Sequence, residues 1–91
     1  MGRVKVIILG TLGKVVGGGN IELTIKPPIE VAHVIHSLSE LRGGKALIDP
    51  KSLHSEALIL INGVEISNLE GLKTQVEDGD TLVIIPVTHG G

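Results

Sequence analysis

Asp78-Gly79-Asp80-Thr81-Leu82-Val83-Ile84-Ile85-Pro86 is the stretch that decides the fold. Two aspartates flank a glycine that tolerates positive φ, so the first three residues read as a tight turn. The residues after it are mostly β-branched and end at a proline, so 81–86 reads as a strand. A strand with one wet side alternates apolar with polar residues. Here Leu82 and Ile84 alternate with Val83, Ile85 and then Val87, so both sides are apolar. One other stretch behaves in the same way. In 4–9, Val4, Val6 and Ile8 take one side, while Ile7 and Leu9 share the other with Lys5.

Working outward, 57–61 is another apolar strand, and Asn62-Gly63 after it is a strong hairpin signal because a type I′ turn needs positive φ twice. Val64-Glu65-Ile66 reads as a short return strand, and Asn68 as the cap of a brief helical turn through Leu69 and Leu72. Toward the N-terminus, 20–26 alternates cleanly, with Ile21, Leu23 and Ile25 opposite Glu22, Thr24 and Lys26. Pro27-Pro28 stops that strand, and Pro28 suits a first helical position. Val31, Val34, Ile35, Leu38 and Leu41 then form one helical stripe, closed by Arg42-Gly43-Gly44. The spacing leaves 45–56 as a loop, with Asp49-Pro50 as a turn and a short irregular turn around Leu53. The connection 11–19 ends in Gly17-Gly18-Gly19. It lacks the Lys-Ser/Thr and the opening helix of a phosphate cradle.

The order is strand, strand, helix, strand, short strand, strand. It predicts an α+β domain, a β-grasp or ubiquitin-like roll, with a mixed sheet of four to five strands and one main helix on one face. The first and last strands then lie side by side and parallel at the sheet centre. Residues 1–86 form the domain and 87–91 a flexible tail.

Composition narrows the function. Among 91 residues there is no Phe, Tyr or Trp, so there is no stacking platform for bases. The formal charge of -2 lacks the basic footprint of phosphate binding, so direct nucleic-acid binding is not expected. Without cysteine there is no thiolate nucleophile, disulfide or Cys-based metal site. The run Val6-Ile7-Ile8-Leu9 is too short to span a bilayer. With no cleavage-site pattern in view, a cytoplasmic protein without membrane partners is the expectation.

One helix covers one face of a sheet, so the apolar residues on the other face await a partner. The expected docking face is Ile7, Leu9, Val83, Ile85 and Pro86. Burying roughly 300 Å² there at ~25 cal/mol/Å² yields several kcal/mol before association entropy is subtracted, which suits a transient complex. The competing account is that flanking Lys and Glu stems cover these strands.

Beyond Pro86 come Val87, Thr88, His89, Gly90 and Gly91. An ionised terminal carboxylate is a poor electrophile. Joining it to AMP as a mixed anhydride opens the carbonyl to a sulfur or amine nucleophile, in a dry pocket that protects the adenylate. Gly90 and Gly91 carry no Cβ and let the backbone approach such a pocket closely. Five residues past Pro86 reach at most ~17 Å, enough to thread a channel while the sheet docks outside.

The residues Ile61-Asn62-Gly63-Val64-Glu65-Ile66, then Leu69-Glu70-Gly71-Leu72-Lys73-Thr74, then 78–86 and the closing Gly-Gly resemble the MoaD/ThiS superfamily of sulfur carriers. The likeness is close over 57–91 and extends to the first half in element order. Thr88-His89-Gly90-Gly91 resembles the archaeal or ubiquitin-related modifier branch, whereas a small residue before Gly-Gly is commoner in bacterial molybdopterin-synthase subunits. The resemblance implies that a ubiquitin-activating-type, MoeB/ThiF-like enzyme adenylates Gly91 using ATP and magnesium. No cofactor is then bound by this chain itself. The thiocarboxylate formed on Gly91 would donate sulfur to molybdopterin, thiamine or tRNA. The molybdopterin-synthase large subunit and target-protein lysines are further implied partners, the latter through isopeptide bonds to Gly91. The protein is then a carrier or a non-catalytic subunit and not an enzyme. The alternative is a β-grasp binding module with an inert tail.

Other residues invite sharper readings. His33, His36 and Glu40 fall opposite the apolar stripe at spacings that suit zinc, but a solvated helix face accounts for them and no metal site is expected. His89 reads as a recognition residue, since no orienting partner accompanies it in sequence. Glu77, Asp78 and Asp80 make an acidic patch whose first role is turn chemistry, with pairing to a basic partner as the second.

Overall fold

The computed structural model describes residues 1–10, 19–40 and 49–87. Seven strands and two α-helices lie among them: β1 (Gly2–Ile8), β2 (Asn20–Ile25), β3 (Ile29–Glu30), α1 (Val31–Glu40), α2 (Pro50–Glu56), β4 (Ala57–Ile61), β5 (Val64–Glu65), β6 (Gln75–Val76) and β7 (Thr81–Pro86). Two 3₁₀ turns, Ile66–Asn68 and Gly71–Lys73, separate β5 from β6.

The main sheet has the order β2-β1-β7-β4-β5, and β3 pairs with β6 in a separate two-stranded ribbon. β1 and β7 run parallel, while β1–β2, β4–β7 and β4–β5 are antiparallel. This is the expected mixed roll with its parallel pair at the centre. The core is wholly aliphatic. Val4, Val6, Ile59, Leu82 and Ile84 from the sheet meet Val31, Val34, Ile35 and Leu38 of α1, all with no accessible surface. The helical stripe thus holds through Leu38. Leu41, Arg42, Gly43 and Gly44 lie outside the described residues, as does the glycine-rich connection before Gly19.

Three expectations are corrected. Pro28 does not open the helix: Ile29 and Glu30 pair with Val76 and Gln75 first, and α1 begins at Val31, whose N–H donates to Thr74 O at 2.9 Å. Residues 50–56 are a helix and not a loop. Asp49 accepts from Lys51 N and from the Ser52 hydroxyl, and Pro50 supplies a first-turn residue that needs no donor. Asn68 caps nothing, because it lies inside the first 3₁₀ turn, and Ile66 belongs to that turn and not to a strand.

The turns fit their sequences. Asn62 and Gly63 both have positive φ (50° and 86°), as a type I′ hairpin requires. Gly79, at φ 89°, closes the last turn. The carboxylates around it are engaged: Asp78 accepts from Arg3 N, while Asp80 accepts from Glu77 N at 2.8 Å and from Asn62 Nδ2 at 2.9 Å. Asn62 Oδ1 in turn accepts from Thr81 N at 3.0 Å. Two loops distant in sequence are thereby tied to the start of β7. Thr74, the one buried polar residue among those described, donates to Gly71 O at 2.6 Å and accepts from Glu70 N at 3.1 Å, so its hydroxyl closes the second 3₁₀ turn. No described helix is long and apolar enough to cross a membrane.

Candidate functional site

α1 covers one face of the main sheet, and among the described residues no element covers the other, the open face. Strand alternation sends Val4, Val6 and Ile8 of β1 and Leu82 and Ile84 of β7 into the core, so Ile7, Leu9, Val83 and Ile85 point away from it. The register then assembles two short apolar rows. Val83 is level with Ile7 on β1 and with Leu60 on β4. Ile85 is level with Leu58, and Leu9, one step past the Ile8–Ile84 pair, comes alongside. Ile7, Leu60, Val83 and Ile85 are half-buried. Leu9 and Leu58 are 46% and 41% exposed, so the row nearest the strand ends is the wetter one.

Four of the five expected docking residues therefore share a face. Pro86 does not join them, because alternation places it on the side of Leu82 and Ile84, level with the buried Ala57. Leu58 and Leu60 complete the surface and were not anticipated. The run Ala57-Leu58-Ile59-Leu60-Ile61 has no polar residue to mark its outer side. Their signal lay in β4 being a third continuous apolar strand beneath a single helix.

The tail begins beside these rows. Because β1 and β7 are parallel, Pro86 emerges at the same sheet end as Leu9 and Gly10. Val87 is exposed on the open side and donates its N–H to Glu56 O at 2.9 Å, which extends the β4–β7 ladder by one bond. Thr88, His89, Gly90 and Gly91 lie outside the described residues.

The other candidates disperse. His36 Nε2 stands 3.7 Å from Glu40 Oε1 on the exposed face of α1. Among the described residues no three His, Asp or Glu side chains gather to hold a metal ion. In the acidic turn, Asp78 and Asp80 are engaged by Arg3, Asn62 and Glu77, as described above.

A mixed five-stranded sheet, a parallel central pair and a helix across one face define a β-grasp protein of the ubiquitin-like kind. The chain belongs to the ThiS family, whose model matches residues 6–91. It is 31% identical over 83 residues to small archaeal modifier protein 3 of Haloferax volcanii, covering 89% of this chain and 90% of that protein. The solution structure of small archaeal modifier protein 1 from Methanosarcina acetivorans is similar at 30% identity and a TM-score of 0.73, over 100% of this chain and 98% of that one. A chain of the Amycolatopsis orientalis BexX/CysO complex is similar at 26% identity and a TM-score of 0.67, over 97% and 99%. The protein is thus one of the sulfur-carrier and ubiquitin-like modifier proteins, small domains that are generally not catalysts themselves.

Proposed function

We propose that Gly91 is the reacting residue and that the open apolar face presents it to an adenylating enzyme. The supporting observation is the juxtaposition of the two apolar rows with the sheet end from which the tail departs. In this reading the enzyme, of the MoeB/ThiF type, grips Ile7, Leu9, Leu58, Leu60, Val83 and Ile85, while Val87, Thr88, His89 and Gly90 thread toward its ATP and magnesium. A Gly91 carboxylate oxygen attacks the α-phosphorus of ATP and pyrophosphate leaves. Hydrosulfide-level sulfur then attacks the acyl carbonyl, AMP leaves with the oxygen, and a thiocarboxylate remains. The sulfur serves molybdopterin, thiamine or tRNA thiolation. Attack by a lysine amine on the same activated carbonyl would instead give an isopeptide. That the homologue CysO is found in a complex with BexX supports a macromolecular partner of some kind.

Intact-mass spectrometry of protein from its native host tests this. The expected result is a fraction carrying AMP, or sulfur in place of one terminal oxygen, at Gly91. Deletion of Gly91 should abolish adenylation and leave the melting temperature unchanged. Full activity of the deletion variant would restore the inert-tail alternative.

A further inference from the structure

Resting on that reading, we infer that the partner surface covering the apolar rows carries a carboxylate opposite Lys5, and that this ion pair sets the register in which the enzyme grips the sheet. Lys5 stands in the same column of β1 as Ile7 and Leu9, one pleat from Ile7, about 7 Å along the strand. It is exposed, and it makes no ion pair or side-chain hydrogen bond among the described residues. Neither of its cross-strand neighbours forms an ion pair with it. Glu22, level with it on β2, is engaged by Arg3 at 3.1 Å, and Thr81, level with it on β7, is uncharged. Asp80, nearby, is oriented by Asn62 Nδ2 and Glu77 N and forms no ion pair with Lys5.

These groups line a groove of about 250 Å³, formed by Arg3, Lys5, Glu22, Gly79, Asp80 and Thr81, that continues the open face away from the tail. The register makes it contiguous with the docking rows: Lys5–Thr81 is followed one pleat later by Ile7–Val83. A partner that covers Ile7 and Val83 must extend over Lys5 or stop within one pleat of it. Covering an unpaired ammonium while excluding water is costly, and an opposed carboxylate offsets that cost. The groove has room for an acidic side chain, and with Arg3 paired to Glu22 at 3.1 Å, Lys5 is the cation in its lining that has no ion-pair partner among the described residues. The apolar rows look much the same if shifted along the sheet by two residues. One charged contact at their far end removes that ambiguity, so the carboxyl end of the tail meets the ATP site at a fixed distance.

The test measures adenylation kinetics and direct binding with the adenylating enzyme purified from the native host. Lys5→Glu is expected to raise KM and Kd about tenfold or more while kcat holds, with only a small fall in melting temperature from the like charge of Glu22 level with it. Lys5→Arg should remain near wild type. Lys73→Glu, the same charge change in a 3₁₀ turn away from this face, should have no effect. Lys5→Glu weakening should reverse when the matching acidic residue of the enzyme is changed to lysine. A Lys5→Glu variant within twofold of wild type in both KM and Kd overturns the inference and leaves the proposed function standing. If the unaltered chain is bound but never adenylated, the Gly91 reading falls, while the Kd comparison still decides the role of Lys5.

Discussion

Ile84 and Ile85 are consecutive in β7 and chemically identical, yet they face opposite fates. Ile84 has no accessible surface and packs in the core beneath α1, whereas Ile85 shares the open face with Leu58 and Leu9. The same division runs along β1, where Ile8 goes inward and Ile7 outward, and along β4, where Ile59 and Leu58 do the same. A side chain that adds stability on one face is, under the proposed function, a recognition element on the other. The helix decides which is which.

Substitutions on the two sides should therefore differ in what they damage. The largest effect is expected for Ile84→Asp. It places a carboxylate among fully buried aliphatic groups with no partner, costs at least about 4 kcal/mol and should leave little folded protein, as read by denaturant titration. Next comes Asp80→Ala. The Glu77 N–H and the Asn62 side chain lose their acceptor, and the loops around β7 loosen by about 1–3 kcal/mol. The readout for this variant is the melting temperature alone, because Asp80 also lines the groove beside Lys5. The smallest change in stability, about 1 kcal/mol or less, is expected for Ile85→Asp and for Leu58→Ser. Both should raise the KM for adenylation by more than their effect on folding can account for. A collapse in melting temperature for Ile85→Asp would merge the two faces into one core and end the comparison.

Much of this arrangement was legible in the residues themselves. The polar alternation of β2, the Asn62-Gly63 hairpin, the Asp78-Gly79-Asp80 turn and the stripe from Val31 to Leu38 each follow a local rule, and the structure obeys those rules. What escaped reading had too little pattern to read. β3 and β6 have two residues each, and two residues have no period. α2 buries none of its residues fully, with Leu53 only partly packed, so its sole announcement is the Asp49-Pro50 start. The outer residues of β4 were hidden by uniformity, since five apolar residues in succession do not declare a direction. On the candidate site, the β1 and β7 residues were legible because each is matched by an inward neighbour. Placing Pro86 and recruiting Leu58 and Leu60 required the register between strands.

The parallel pairing of β1 and β7 has a mechanical consequence. Met1 and the tail leave the sheet at opposite ends of adjacent strands. Tension applied between the two termini therefore loads the β1–β7 hydrogen bonds in shear, all together, and does not unzip them singly. A domain pulled through its last residues should resist force well beyond what its modest aliphatic core suggests. A label or surface anchor at Met1 would also keep clear of the end where the tail departs.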